Sequence, residues 1–259
     1  MMMPPGRYGC LLAAALLTSC CSSAETPPSS TPGTQPARVL VVTHTEGFRH
    51  SSIPVAEATI AAIGQRSGVF AVSFCRTADD VSRMLTASAL GGFDALVFAN
   101  TTGTLPVPDL NALLNWIADG HGFAGMHSAS DTYHDAPAYL DMLGNEFLTH
   151  GDQTTVDARV ENPSHPASSP LGQRFRVLDE IYIFARSNRG AVTMLLSLDR
   201  HPADGLPEAG QPGDFPLGWA KSYGRGRVFY TALGHREDVW QNVLYQEHIL
   251  GGIRWVLGR

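Results

Sequence analysis

The stretch GFAGMHSASDTYHD (122–135) reads as the end of a buried strand entering a sharp turn, with Gly122 and Gly125 before the bend and Ser128 and Ala129 after it. In many α/β enzymes such a turn lifts a catalytic Ser or Cys above the sheet. Here the apex is His127. An imidazole is a poor nucleophile but a good metal ligand, and near neutral pH it carries protons well. His50 stands beside Ser51 and Ser52, either of which could cap a following helix, and His235 follows a late strand. His44 reads as shaping the loop that carries His50, and His121, His134, His201 and His248 read as surface or packing residues.

Imidazoles brought together from separate segments could hold a divalent ion such as zinc, which takes three or four N, S or O ligands at about 2.0–2.3 Å. Asp131, four residues after His127, could add an oxygen if the turn runs into a helix. No local spacing of the HExxH kind occurs, so metal-free acid–base chemistry by the same rings stands as the alternative. In DEIYIF (179–184), strand alternation puts Glu180 and Tyr182 on one face, where they could accept and donate hydrogen bonds to a polyol. An ordinary strand with solvated acids would show the same pattern. Trp219 could stack on a sugar, although Trp is more often a core residue.

The elements that must position these residues follow from periodicity. RVLVVT (38–43), VFAVSFC (69–75), FDALVFAN (93–100) and GFAGM (122–126) are strand-like, the first a continuous β-branched run as expected of a strand covered on both faces. Helical spacing separates them: Val55, Ile60 and Ile63 with Gly68 as a stop, Ala78 towards Leu85 capped by Thr77, and Leu110 to Gly120. Four alternations with short connections predict a parallel sheet covered on both faces, with ligands beyond the carboxyl ends of its strands. HTEGFRH (44–50), NTTGT (100–104) and HSASD (127–131) therefore converge. The second half is less regular: strands at 154–160, 174–184 and 191–198, a Gly/Pro-rich loop at 199–216, a hairpin at 217–234 with GRG near its turn, and a closing helix from about Trp240 to Leu257.

Composition narrows the functional classes. A net charge of −6 without a basic stripe argues against a nucleic-acid partner. At the N-terminus a short apolar run (CLLAAALLTS) ends in LTSC, which resembles a bacterial lipobox. Residues 1–19 are thus expected to be a lipoprotein signal peptide and Cys20 the lipidated residue. Residues 20–37 would be the anchor and a Pro/Ser/Thr-rich spacer too poor in apolar side chains to fold. This predicts an exported protein whose only membrane contact is its lipid anchor, at the periplasmic or cell-surface side. Cys75 stands alone in the folded part, so no disulfide is expected there.

Several stretches together resemble the ThuA-like (trehalose-utilisation) family of the class I glutamine-amidotransferase-like superfamily: THTEGFRHSSI (43–53), GFAGMHSASDT (122–132), LGNEFLTH (143–150), NPSHP (162–166), DEIYIF (179–184) and GWAKSYGRGRVFYTALGH (218–235). The resemblance spans the folded part, 38–259, in the expected order. It implies a flavodoxin-like three-layer α/β sandwich with a central, mostly parallel sheet and an added, partly antiparallel region, and it puts His127 where amidotransferases carry their Cys. HRE (235–237) matches their late His–acid pair in form, but without the thiol glutamine hydrolysis is excluded. The family pattern also brings in His150 and His165. The resulting candidates are His127, His235 and Glu180 as catalytic residues; Tyr182, Glu46, Trp219 and His165 for substrate; and His50, His127 and His150 for a metal. The implied ligand is a small sugar, either a disaccharide or its 3-keto derivative, which would undergo hydrolysis or β-elimination. A non-catalytic sugar-binding lipoprotein or accessory scaffold using the same crevice is the alternative.

Overall fold

The structure, a computed structural model, describes residues 1–6, 35–186 and 189–259. The expectations for the signal segment, Cys20 and most of the spacer lie outside the described residues. Residues 1–6 carry no regular secondary structure, and Gln35–Arg259 form one compact unit. No helix among the described residues is long and apolar enough to cross a membrane.

Along the first half, β1 (Ala37–Val42), α1 (Ile53–Ser67), β2 (Phe70–Cys75), α2 (Ala78–Met84), α3 (Ala87–Leu90), β3 (Ala95–Ala99), α4 (Leu110–Ala118) and β4 (Gly122–Met126) alternate as the periodicity predicts. A 3₁₀ turn, His127–Asp131, then leads to α5 (Pro137–Leu143). Next come β5 (Phe147–His150), β6 (Thr154–Val160), β7 (Arg174–Asp179), β8 (Tyr182–Phe184), β9 (Thr193–Arg200), β10 (Pro212–Tyr223) and β11 (Gly226–Thr231). The chain closes with α6 (Glu237–Gln241) and α7 (Val243–Val256).

Nine strands form one sheet in the order β2-β1-β3-β4-β11-β10-β9-β6-β7. The first five are parallel, and from β10 onward each strand is antiparallel to its neighbour. The burial patterns follow from this. In β3 (ALVFA) and β4 (GFAGM) every residue is buried, whereas β7 (RFRVLD) alternates exposed and buried. One face packs Ile60 and Ile63 of α1 with Ile249 and Ile253 of α7 over Val39 and Val41. The other packs Val81, Leu113 and Leu140 of α2, α4 and α5 over Leu40 and Val42. The result is a three-layer sandwich whose antiparallel region extends the same sheet.

Local details match residue types. Thr77 and Asp80 make a reciprocal capping box at α2, and Gly68, at φ 65°, closes α1. Neither serine before α1 caps it. Ser52 Oγ donates to the Gly234 carbonyl and Ser51 Oγ donates to Glu237, while Pro54 occupies the first turn, where a missing N–H costs nothing. Three other expectations change. The 174–184 strand breaks at Glu180–Ile181, so β8 leaves the main sheet and pairs with β5. Part of the 199–216 loop joins β10. The closing helix is interrupted by Asn242, which caps α7 with its side chain.

Candidate functional site

The carboxyl ends of three parallel strands deliver the histidines. His50 ends the loop after β1, His127 follows β4 directly, and His235 lies four residues beyond β11. His127 adopts a left-handed backbone (φ 49°), as does Asn100 (φ 55°) at the end of β3. For residues with a Cβ this conformation is costly and needs support from its surroundings. At His127 the support is explicit: its Nδ1–H donates to the Ala232 carbonyl (2.8 Å), and Tyr230 Oη donates to its own carbonyl (2.6 Å). Asn100 Nδ2 donates to Ser52 Oγ (3.0 Å) and to the Gly234 carbonyl (2.9 Å), tying together the loops after β1, β3 and β11.

The Nδ1–H bond leaves the lone pair of His127 on Nε2, which points at three partners. Tyr182 Oη lies at 3.0 Å, His235 Nδ1 at 3.3 Å and Glu180 Oε2 at 3.5 Å. His235 Nδ1 is 3.2 Å from the same carboxylate oxygen. The His50 ring stands edge-on to both, with centroids 4.8 Å from His127 and 5.0 Å from His235. One ligand atom from each of His50, His127, Glu180 and His235 lies within 4.8 Å of the others. His50, Glu180 and His235 border a cavity of about 250 Å³, walled further by Phe48, Asp131, Phe147, His150 and Tyr182, and His127 lies buried behind them.

Electrostatics tune the group. Burial opposes ionisation of Glu180, but its contacts with the His127 and His235 rings outweigh it and hold its carboxyl well below the usual carboxylate range. Burial likewise pulls His235 down, yet Glu180 raises it overall. His50 is pushed down to about 3 by burial and by the neighbouring imidazoles, so its ring is neutral at physiological pH. Asp179, one residue before Glu180, is buried and its carboxyl is raised by that burial. It accepts from the Gly234 N–H (2.7 Å) and the Arg236 N–H (3.3 Å), and so brackets His235.

This group has the composition and geometry to hold a divalent metal ion. The three separations among His127, His235 and Glu180 (3.2, 3.3 and 3.5 Å) exceed the usual hydrogen-bond length of about 2.9–3.0 Å. They match the ligand–ligand edges, about 3.3–3.4 Å, of a tetrahedral shell with bonds of about 2.0–2.1 Å.

The structure brings His50, His127, Glu180, Tyr182 and His235 together and moves other candidates elsewhere. His150 lines the cavity but lies outside the ligand group, because its Nδ1–H donates to the Gly151 carbonyl (2.8 Å) and faces the other Glu180 oxygen at 3.3 Å. Trp219 is a core residue: it is fully buried, stacks on Tyr230 and donates its Nε1–H to the Leu143 carbonyl. His165 packs on Trp255 and accepts the Ala167 N–H, on a turn held against α7. Glu46 pairs with His44 (2.7 Å) and does not line the cavity. Asp131 bonds His134 (2.7 Å) instead of joining the ligand group. Sequence reasoning missed Phe48, Phe147 and Asp179. Their signals were adjacency alone, two residues before His50, three before His150 and one before Glu180.

A three-layer α/β sandwich with a His–Glu group at the carboxyl ends of its parallel strands defines the class of this molecule. The ThuA family model, described as trehalose utilisation, matches residues 38–256. The chain belongs to that family, and at family level its role is of the trehalose-utilisation type. Among solved structures it is similar to a ThuA-like protein from Parabacteroides merdae ATCC 43184 (TM-score 0.72, 19% identity, covering 86% of this chain and 90% of that one). A ThuA-like protein from Bacteroides uniformis ATCC 8492 matches with TM-score 0.69 and 19% identity, over 89% and 95% of the two chains. A cytoplasmic protein from Salmonella typhimurium LT2 matches with TM-score 0.58 and 15% identity, over 85% of this chain and 99% of that one. At these identities the likeness is one of fold. No curated protein matches.

Proposed function

We propose that this protein is an enzyme acting on a small sugar, a disaccharide or its 3-keto derivative, through a divalent metal such as zinc held by His127, Glu180 and His235, with the neutral His50 ring beside them and a position left open for the sugar. The observation that carries the reading is the near-equilateral spacing of His127 Nε2, His235 Nδ1 and Glu180 Oε2 beside a cavity. The protonation states agree with it: His50 is neutral, Glu180 is ionised, and the Ala232 carbonyl fixes the tautomer that frees His127 Nε2. A bound divalent ion supplies Lewis acidity towards a keto or hydroxyl oxygen. The chain's own part is to seat the sugar, keep Glu180 ionised and hold the Tyr182 proton beside the reacting centre.

A specific contact favours a second reading, metal-free acid–base catalysis. Tyr182 Oη lies within hydrogen-bond reach of the lone pair that a metal would use. In this reading His127 Nε2 removes the C2 hydrogen that a C3 ketone acidifies. The C–H electron pair becomes a C1=C2 double bond, the glycosidic C1–O bond breaks with its pair on oxygen, and protonated His235 gives that oxygen a proton. Glutamine hydrolysis has no part in either reading, since position 127 holds no thiol.

Metal content by mass spectrometry, on tag-free protein and on His127→Ala, separates the two. Near-stoichiometric metal in the parent, lost in the variant along with turnover of a 3-keto-glycoside, is the expected result. Turnover by metal-free protein that dies in His127→Ala establishes the acid–base reading. Sugar binding without turnover in either state would overturn catalysis and leave a sugar-binding accessory protein.

We place this chemistry outside the cytoplasm on a lipid anchor, on the strength of LTSC and the Pro/Ser/Thr-rich spacer after it. Incorporation of a labelled fatty acid that survives Cys20→Ala would sink that assignment.

A further inference from the structure

A sugar ring presents C–H faces to apolar planes and an equator of hydroxyls to hydrogen-bonding groups. The cavity offers both, from residues that neither catalysis nor metal binding requires. Phe48 is 65% exposed, on the loop between β1 and α1. That loop is pinned, because Thr102 Oγ1 donates to the Phe48 carbonyl (2.9 Å) and the Glu46 N–H donates to the Thr102 carbonyl. Its ring touches His50 only edge-on, at 4.8 Å. A fixed backbone thus holds a large aromatic ring in water at a cavity mouth, where an apolar surface awaits a ligand. Phe147 supplies a second aromatic wall from β5, packed on Tyr182 at 4.3 Å.

The polar side is equally built. Asp131 lines the cavity, and its Oδ1 is bonded by His134 Nε2 (2.7 Å). The other nitrogen of His134 bonds Glu146 (2.7 Å). With a carboxylate on each nitrogen, the ring acts as a protonated strut that orients Asp131. The charged residues lining the cavity are carboxylates and imidazoles, and among the described lining residues there is no Lys or Arg. A phosphate or carboxylate on the ligand would face Asp131 and Glu180, and the rings that could carry positive charge there, His134 and His235, are already engaged by those two carboxylates. A volume of about 250 Å³ falls below the range of about 300–1,000 Å³ that holds drug-sized molecules.

We propose that the site selects an uncharged sugar and encloses one ring of it, with Phe48 and Phe147 against its C–H faces and Asp131, oriented by His134, accepting from its hydroxyls. The proposal rests on the sugar reading above and adds the charge class, the enclosed length and the gripping residues.

Calorimetric titration of the full chain with methyl α-glucopyranoside, glucuronate and glucose 6-phosphate tests it. The neutral glycoside should bind at least tenfold tighter than either anion. Phe48→Ala should weaken it about tenfold and Phe48→Tyr should restore it. Asp131→Asn should weaken the neutral ligand by a similar factor and narrow the gap to the anions. Anions binding as tightly as the glycoside, no binding of the glycoside, or unchanged affinity in both Phe48→Ala and Asp131→Asn would overturn the proposal. Metal content and turnover are read on the same preparations. Neutral-selective binding without turnover sinks only the catalytic reading, whereas a metal-loaded, active protein without that selectivity sinks only this one.

Discussion

Two histidine groups of similar burial sit in this molecule, and only one is equipped for chemistry. His50 and His127 at the site are buried, as are His165 beside α7 and His248 on it. The difference lies in what the ring nitrogens face. At the cavity they converge on Glu180 and on one another. At α7 both rings serve one residue: the Ala167 N–H donates to His165 Nδ1 (3.2 Å), and His248 Nδ1–H donates to the Ala167 carbonyl (2.7 Å). Gly251 makes that clasp possible, since a Cβ there would fall 2.1 Å from the Pro166 carbonyl oxygen. The first group sits at the ends of parallel strands, where the sheet leaves a crevice, while the second fastens a turn to a helix. Burial and residue type alone cannot separate a reactive histidine from a structural one.

The largest effect should come from breaking the first group. His127→Ala removes the central ring, and we expect turnover to fall by at least about a thousandfold, some 4 kcal/mol of barrier, with metal lost as well. His165→Ala should leave turnover within a few-fold while lowering the melting temperature. Equal losses of turnover in the two variants would erase the distinction.

The second group should declare itself in acid. Burial pushes His165 and His248 down to about 4. Between pH 6.5 and 4 the unfolded chain therefore binds protons that the folded chain refuses, and stability falls as pH drops through that window. The full effect is about 3 kcal/mol per ring. His50, lowered to about 3, acts with the same sign, while His235, raised by Glu180, acts against it. Thermal melts at pH 7 and 4.5 measure the slope. His248→Asn, whose amide can still donate to Ala167, should flatten it, and an unchanged slope would refute the assignment.

Asp179 tests how far the reactive group depends on its scaffold. An Asn there keeps one acceptor but turns an amide N–H towards a backbone N–H, so the segment bracketing His235 loosens. We expect metal affinity to weaken about tenfold to thirtyfold, as for other residues that orient ligands. A drop in stability with unchanged affinity would make Asp179 structural only.

How much of this was legible in the sequence follows from the range of the interactions involved. Continuous apolar runs mark buried parallel strands, and the polar residues of the loops that follow such runs face the crevice. His50, His127 and His235 could therefore be read from local pattern. Glu180 and Tyr182 were read from strand alternation, and they do meet at the site, although the chain breaks between β7 and β8 rather than continuing as one strand. What pattern could not show was the partner of each remaining candidate. Trp219 is claimed by the Leu143 carbonyl, 76 positions away, and Asp131 by His134 and, through it, Glu146. His165 and His150 came from family pattern, which marks a segment without saying which ring in it reaches the centre. Trp219 was claimed by a distant element, whereas His150, His165 and Asp131 took partners one to three residues away, a choice among near neighbours that residue type and spacing do not specify.

The smallest expected effect bears most directly on which chemistry the first group performs. Tyr182 is buried, and burial raises its hydroxyl well above the ordinary tyrosine range, so it stays protonated at any working pH. Its Oη–H can donate to His127 Nε2 only while that lone pair is free. In the metal-free reading Tyr182→Phe removes this bond from the base itself, so turnover should drop about tenfold and the pH–rate profile should shift. With metal bound, the lone pair is already engaged and the tyrosine contributes through packing on Phe147, so the same variant should change turnover only a few-fold with no shift in pH dependence. Because Phe preserves the ring and its contacts, the shift, rather than the loss of rate, decides between the two.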